Sequence, residues 1–446
     1  PPVTGNVTGS EFLDRLGPLS EELVDAAKAS FDEANATIAA TPESAARTNL
    51  AERLASSKSL LGSAANATAN QTYYTAASLS FQSSIESRYV REAAQYLAAT
   101  DRAAAHAQSV AEARGIVQRV ERAVSSSPVR DTNSFEAVGA AQVRIMEAEE
   151  RLAAAQDALA NARSPQDLFD SLYNASYAAE RADTAQWWLK LSEGFPKGEP
   201  VEGDALEELA RDTITTSTEE VAYVSAVFVG AGTVAPLGQS RELLDTAEKA
   251  MARGYYAAAM LTALEASVRA SVFLEMAGYG GAVPATKFES AREGAARAIQ
   301  GARARGVESL LAQSAYEFGL SLERPDEKLS FLGVARVTGN LAGLPGLFDA
   351  QPSGLSTRFQ SNPPAFRVDV LYVAAAFAVG LALGAGAGLT ALMPRGRREG
   401  SGLPAGAPDA SEPVWTVPSM VATTGDPMPR SEDAAPDEAR VEEGRP

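Results

Sequence analysis

The chain has no cysteine and one histidine in 446 residues. The first absence removes disulfides, thiolate nucleophiles, zinc ribbons and iron–sulfur clusters together. The second leaves His106 as the only imidazole, so a histidine-rich metal site is excluded and any serine–histidine triad would rest on that residue alone. His106 sits in an alanine-rich helical stretch with no Glu or His three or four positions before it, which reads as packing or surface. Lysine is scarce, with seven residues, and none has a serine three positions earlier, so a Ser-x-x-Lys nucleophile is missing. No Gly-Lys pair occurs to cradle phosphate. Cationic residues number 39 against 57 acids, a net charge of −18, which argues against a nucleic-acid partner. No cofactor or metal ligand set is expected. The chain begins with Pro1 rather than Met and reads as a processed or excised piece.

What is present is alanine, leucine, glutamate and arginine, all good helix formers. From residue 10 to about 345 apolar residues recur at three- and four-residue spacing, as in Ala140, Val143, Met146, Leu152 and Leu159. The expected fold is all-α, about a dozen helices joined by short turns and therefore antiparallel neighbours. Breaks fall at Pro42, Ser127-Pro128, Ser164-Pro165, Pro196 to Pro200, Pro236 to Gly238, Gly278 to Pro284 and Arg324-Pro325. Thr41-Pro42-Glu43 and Ser164-Pro165-Gln166-Asp167 each read as a helix start, with a capping residue before a first-turn proline. Residues 1–9 read as a linker, 10–200 and 201–345 as two parts of the helical domain, and 346–369 as a second linker. The uncharged run Val221 to Ala235 is short for a membrane span and predicts a buried central helix.

An aromatic-then-small signature recurs at Tyr73-Tyr74-Thr75-Ala76-Ala77, Tyr173 to Ala179 and Tyr255-Tyr256-Ala257-Ala258-Ala259, each predicted to open a long amphipathic helix. Alanine lets helices approach closely and tyrosine fills the space beside them. Ala247 to Ala266 has a weak likeness to a tetratricopeptide hairpin, although the copies are too far apart for a regular array. Shared alanine-rich composition is the alternative explanation. Tyr73, Tyr74, Tyr255 and Tyr256 are candidates for a binding surface, with core packing as the competing role.

Val370 to Met393 carries no charge over 24 residues. As a helix it would extend roughly 36 Å, enough for a bilayer core. Arg395, Arg397 and Arg398 follow it, which predicts a single pass through the cell membrane with the tail cytoplasmic and residues 1–366 outside. Ala376, Gly380, Gly384 and Gly388 share one face of that helix and are candidates for weak self-association. The tail, 394–446, has six arginines and ten acids with few large apolar residues and is expected to be disordered. Five of ten asparagines lie in Asn-x-Ser/Thr: Asn6, Asn35, Asn66, Asn70 and Asn174. All five are on the side predicted to be exported, where they are candidate glycosylation sites.

The segment Tyr73-Tyr74-Thr75-Ala76-Ala77-Ser78-Leu79-Ser80-Phe81 resembles the helical region of archaeal membrane-anchored Lon-like serine proteases, and Thr8-Gly9-Ser10-Glu11-Phe12-Leu13 resembles the point where that region begins. In such proteins a Ser/Lys-dyad protease domain precedes a long helical region and a hydrophobic segment closes the chain. The family's glycine- and proline-flanked catalytic serine finds no match, so the resemblance implies the non-catalytic part, with an enzyme upstream of Pro1. The expected function is a membrane-anchored, extracytoplasmic interaction region for a protein or peptide partner, that protease domain included. A stand-alone extracytoplasmic sensor or adaptor, and a carboxylate-dependent enzyme, are the alternatives.

Overall fold

The computed structural model describes residues 10–193, 201, 203–228, 235–279 and 283–341. These form twelve α-helices and no strand element. They are α1 (Ser10–Ala39), α2 (Ala45–Ala69), α3 (Tyr73–Ala98), α4 (Arg102–Ser125), α5 (Thr132–Ala160), α6 (Pro165–Glu193), α7 (Gly203–Phe228), α8 (Ala235–Ala252), α9 (Tyr256–Ala277), α10 (Ala285–Ala304), α11 (Leu310–Ser321) and α12 (Pro325–Leu341). The helix starts carry their signatures. Asp131 opens α5 with a capping box, accepting from Ser134 N at 2.8 Å while the Ser134 hydroxyl accepts from the Asp131 backbone. Pro165 and Pro325 stand first in α6 and α12, where a missing N–H costs nothing. The start expected at Thr41-Pro42 is displaced: Ser44 caps α2 instead, accepting from Arg47 N at 3.1 Å.

Consecutive helices pack on one another in α2–α3, α5–α6, α8–α9 and α11–α12, and α1–α3, α4–α6, α7–α9 and α10–α12 add the next layer. One large core cluster runs from Leu16 of α1 to Ala335 of α12. Much of it is alanine, which buries little area per residue, so its cohesion depends on close backbone approach. Gly139 of α5 lies on α9, where a Cβ would meet Ala257 at 3.2 Å. Between α2 and α3 the seam is serine: Ser57 Oγ lies 2.7 Å from Ser83 Oγ and 2.8 Å from Ser87 Oγ, all buried.

Helix α5 is the hub of polar wiring. Its Glu136 accepts from Ser309 Oγ at 2.7 Å and Leu311 N at 2.8 Å, capping α11 from outside. Its Gln142 accepts from Ala258 N at 3.2 Å, in the first turn of α9. Its Glu147 accepts from Arg181 Nε at 2.7 Å and from the Tyr177 hydroxyl, both on α6. In turn Glu317 of α11 accepts from Thr75 N at 2.7 Å, in the first turn of α3. Orphan N–H groups at helix starts are thus satisfied by side chains from distant helices.

Two expectations are corrected. The run from Val221 is not a buried central helix: Val221 to Phe228 is the end of α7, with Tyr223 56% exposed and Ala222 and Ala226 also on the surface. Val221 and Val224 are buried and Phe228 packs half-buried on the core against Phe273, because helical periodicity gives an all-apolar strip one buried side, not two. The signature at Tyr173 does not open a helix but lies in the middle of α6, where Tyr173 and Tyr177 face α3. One described helix, Tyr256–Ala277, is long and apolar enough to cross a bilayer, and most of it is buried inside the bundle. The proposed span 370–393, its Ala376, Gly380, Gly384 and Gly388, and the tail lie outside the described residues.

Candidate functional site

Both remaining tyrosine pairs follow the same turn. After α2, Gln71 adopts a left-handed conformation (φ 59°), Gln71 N donates to Thr68 O at 2.9 Å and Thr72 N to Ala67 O at 2.9 Å. After α8, Gly254 does the same (φ 75°), Gly254 N donating to Met251 O at 3.0 Å and Tyr255 N to Ala250 O at 2.9 Å. This is the Schellman motif in each case. Aligned on the left-handed residue, Tyr73 corresponds to Tyr256, so the two pairs are one residue out of register. Tyr73 and Tyr256 are the half-buried first residues of α3 and α9.

The offset sends the pairs to different places. Tyr74 is buried against Trp188 and Phe318, with ring centroids at 6.1 and 6.4 Å. Arg144 of α5 extends toward its hydroxyl and stacks on Trp188 at 4.8 Å. That guanidinium forms no ion pair with a described residue, and burial, with the neighbouring Arg181 charge, lowers its pKa to about 10. Tyr255 and Tyr256 instead border an open cleft of about 640 Å³.

The cleft forms where helix ends converge: the C-terminus of α4, residues 127–129 beyond it, the first turn of α7 and the α8–α9 turn. The Tyr255 hydroxyl lies 2.7 Å from Ser125 Oγ, and burial raises its pKa. The Tyr256 hydroxyl donates to Glu207 Oε2 at 2.7 Å, and that hydrogen bond, with one from Arg211, lowers the Glu207 pKa. Arg253 is ion-paired to Glu149, which raises its pKa. Glu121 accepts from Ser125 Oγ at 3.2 Å. Gln142, 7% exposed, contributes to the lining from α5. Sequence reading found the tyrosines but missed the convergence on them of Glu121 and Ser125 from α4 and of Gln142 and Glu149 from α5, two helices distant from the tyrosines in the chain. The one local signal was Gly254, which sets the turn that aims the pair.

The catalytic alternatives find other employment for their residues. His106 is buried, with Nε2 3.0 Å from Ser171 Oγ and its ring edge-on to Tyr96. Ser171 donates its proton to Ala155 O at 2.6 Å, so it accepts from a neutral His106 Nε2–H and is not poised as a nucleophile. Burial lowers the His106 pKa, which agrees with the neutral ring. Burial raises Glu136 and Glu317 each to about 7, but both serve as helix caps and neither lines the cleft. Among the described residues no group of three or more His, Cys, Asp or Glu is placed to hold a metal ion. Asn35, Asn66 and Asn70 are exposed; Asn174 is half-buried and its Oδ1 accepts from Arg151 Nη1 at 3.2 Å; Asn6 lies outside the described residues. In comparisons with known proteins, no family model, curated protein or solved structure matches the chain.

Proposed function

We propose that the chain is a non-catalytic, membrane-anchored interaction region whose binding surface is the cleft at Tyr255 and Tyr256. The observation that carries this reading is the cleft itself: an open cavity lined by hydroxyls, an amide and carboxylates, at the turn between α8 and α9. The hairpin, weakly tetratricopeptide-like, presents it as a turn presents a recognition loop. Residues 370–393 cross the cell membrane, the arginines at 395, 397 and 398 keep the disordered tail in the cytoplasm, and the helical region faces outward with its sequons. The partner is a protein or peptide, and a Lon-like Ser/Lys protease domain upstream of residue 1 fits that role. Weak self-association runs through Gly380, Gly384 and Gly388.

The full chain in lipid nanodiscs should leave casein and fluorogenic peptides uncut while capturing peptides from a random library, and Tyr256→Ala should abolish the capture. Turnover that vanishes on substituting a carboxylate of the helical region would overturn the reading. Protease added to intact cells should degrade the helical region and spare a tag at Pro446; the reverse pattern would reject the orientation.

A further inference from the structure

The cleft has a chemistry that selects among partners. At its inner end Gln142 is 93% buried, and its Oε1 is committed to Ala258 N–H at 3.2 Å. The same carboxamide therefore turns its Nε2 donor away from that helix start, and this donor has no acceptor among the described residues although the side chain lines the cavity. A donor that opens onto the cavity is available to a ligand that brings an acceptor, and the most common such acceptor on a polypeptide is a main-chain carbonyl. At the mouth the charges are unbalanced. Arg253 is consumed by Glu149, and Glu207 is held by Tyr256 and Arg211. Glu121 faces the cavity with the Ser125 hydroxyl on it and the Arg253 charge within electrostatic reach, but forms no ion pair with a described residue. The lining residues Glu121, Glu149 and Arg253 leave one negative charge in excess. The lining also contains the apolar Pro128, Val129 and Leu206, beside which the methylenes of a long cationic side chain can lie.

We infer that the Tyr255–Tyr256 cleft binds an extended peptide segment that presents a main-chain carbonyl to Gln142 and an arginine or lysine to Glu121. This rests on the reading of the cleft as a binding surface and names its partner class. The donor and the carboxylate belong to different helices, α5 and α4, so the cleft reads carbonyl and cation together and a segment carrying only one of them binds weakly. The overall acidity of the chain, net −18, adds long-range attraction for a basic segment and makes the encounter salt-sensitive.

The test uses the full chain in nanodiscs and three fluorescein-labelled, end-blocked heptapeptides that alternate alanine with arginine, serine or glutamate. The arginine peptide should bind at least tenfold more tightly than the other two, weakening as salt is raised. Glu121→Gln should weaken it about tenfold and reduce, without abolishing, the salt dependence. Gln142→Met should weaken the arginine peptide while leaving the binding of spermine, which has charge but no carbonyl, unchanged. Since Gln142 also caps α9, Glu121→Gln at the cleft mouth is the variant that keeps the test open if Gln142→Met fails to fold. Binding of the serine or glutamate peptide as tightly as the arginine peptide, still lost in Tyr256→Ala, would overturn the basic class and leave the binding surface standing. Capture of no peptide by a chain whose helical circular dichroism is intact would overturn both.

Discussion

The α2–α3 and α8–α9 hairpins are built alike and used differently. Each ends its first helix in a Schellman turn, and each satisfies the third N–H of its second helix with a side chain from a distant helix. In the first hairpin the cap is the carboxylate of Glu317 on Thr75, in the second the carboxamide of Gln142 on Ala258. The first places Tyr74 at the centre of the bundle beside Arg144, Trp188 and Phe318; the second leaves its pair at the wall of a cavity. One supersecondary unit can thus brace a core or present a surface, depending on what packs over its turn. The one-residue offset between the signatures matters because one residue turns a helix by about 100°: Tyr74 goes to the core, Tyr256 stays half-buried at the cleft, and Tyr255, itself buried, backs the cleft from the core.

The sharpest break between the hairpins should be in stability. Tyr74→Ala removes a buried ring and leaves the Arg144 guanidinium without a phenol beside it. It should cost about 3–5 kcal/mol in urea denaturation, against about 1 kcal/mol or less for Tyr256→Ala at the rim. Equal losses would mean that the second pair is also a core element and the cleft an accident of packing.

The caps should differ next in their response to pH. Burial raises Glu317, and likewise Glu136, from 4.5 to about 7. The folded chain therefore binds these protons more tightly than the unfolded chain. The stabilisation is fully present below about pH 4.5 and is lost as pH rises through about 7, at up to about 1.4 kcal/mol per unit for each group. The urea midpoint should accordingly be higher at pH 5 than at pH 8. Glu317→Gln, which installs the second hairpin's type of cap in the first, should reduce this slope while keeping an acceptor for Thr75 N–H. An unchanged slope would show that Glu317 titrates alike folded and unfolded.

The smallest difference concerns the left-handed residues. Gln71 holds φ 59° with a side chain that disfavours it, while Gly254 holds φ 75° freely. Gln71→Gly should raise stability by about 0.5–1 kcal/mol, and Gly254→Gln should lower it by a similar amount. Both are read from the thermal midpoint, and Gly254→Gln should also weaken peptide capture because Tyr255 and Tyr256 hang on that turn. Midpoints that move the other way would place the strain elsewhere than in the turns.

The all-α class, the dozen helices and most of their ends were legible in the chain, because helix propensity, 3.6-residue periodicity and caps such as Asp131 and Pro165 act over a few residues. The tyrosine pairs were visible for the same reason. Their fates were not, since Tyr73-Tyr74 and Tyr255-Tyr256 are alike over five residues and differ only in register to the turn and in what lies above it. The run from Val221 misled because hydrophobicity without a polar face does not say how many neighbours will cover it. The Ser171 partner of His106, the caps Glu136 and Glu317, and the meeting of Gln142 with Glu121 and Tyr255 join residues tens to hundreds of positions apart. Sequence by itself determined the all-α class and those helix starts that carry a local cap or a first-turn proline, such as Asp131 and Pro165, because those choices rest on contacts within a few residues. Only the tertiary structure decided which glutamate caps a helix, which tyrosine is core and which lines a cleft, because burial and desolvation are properties of the packed assembly and not of any segment within it.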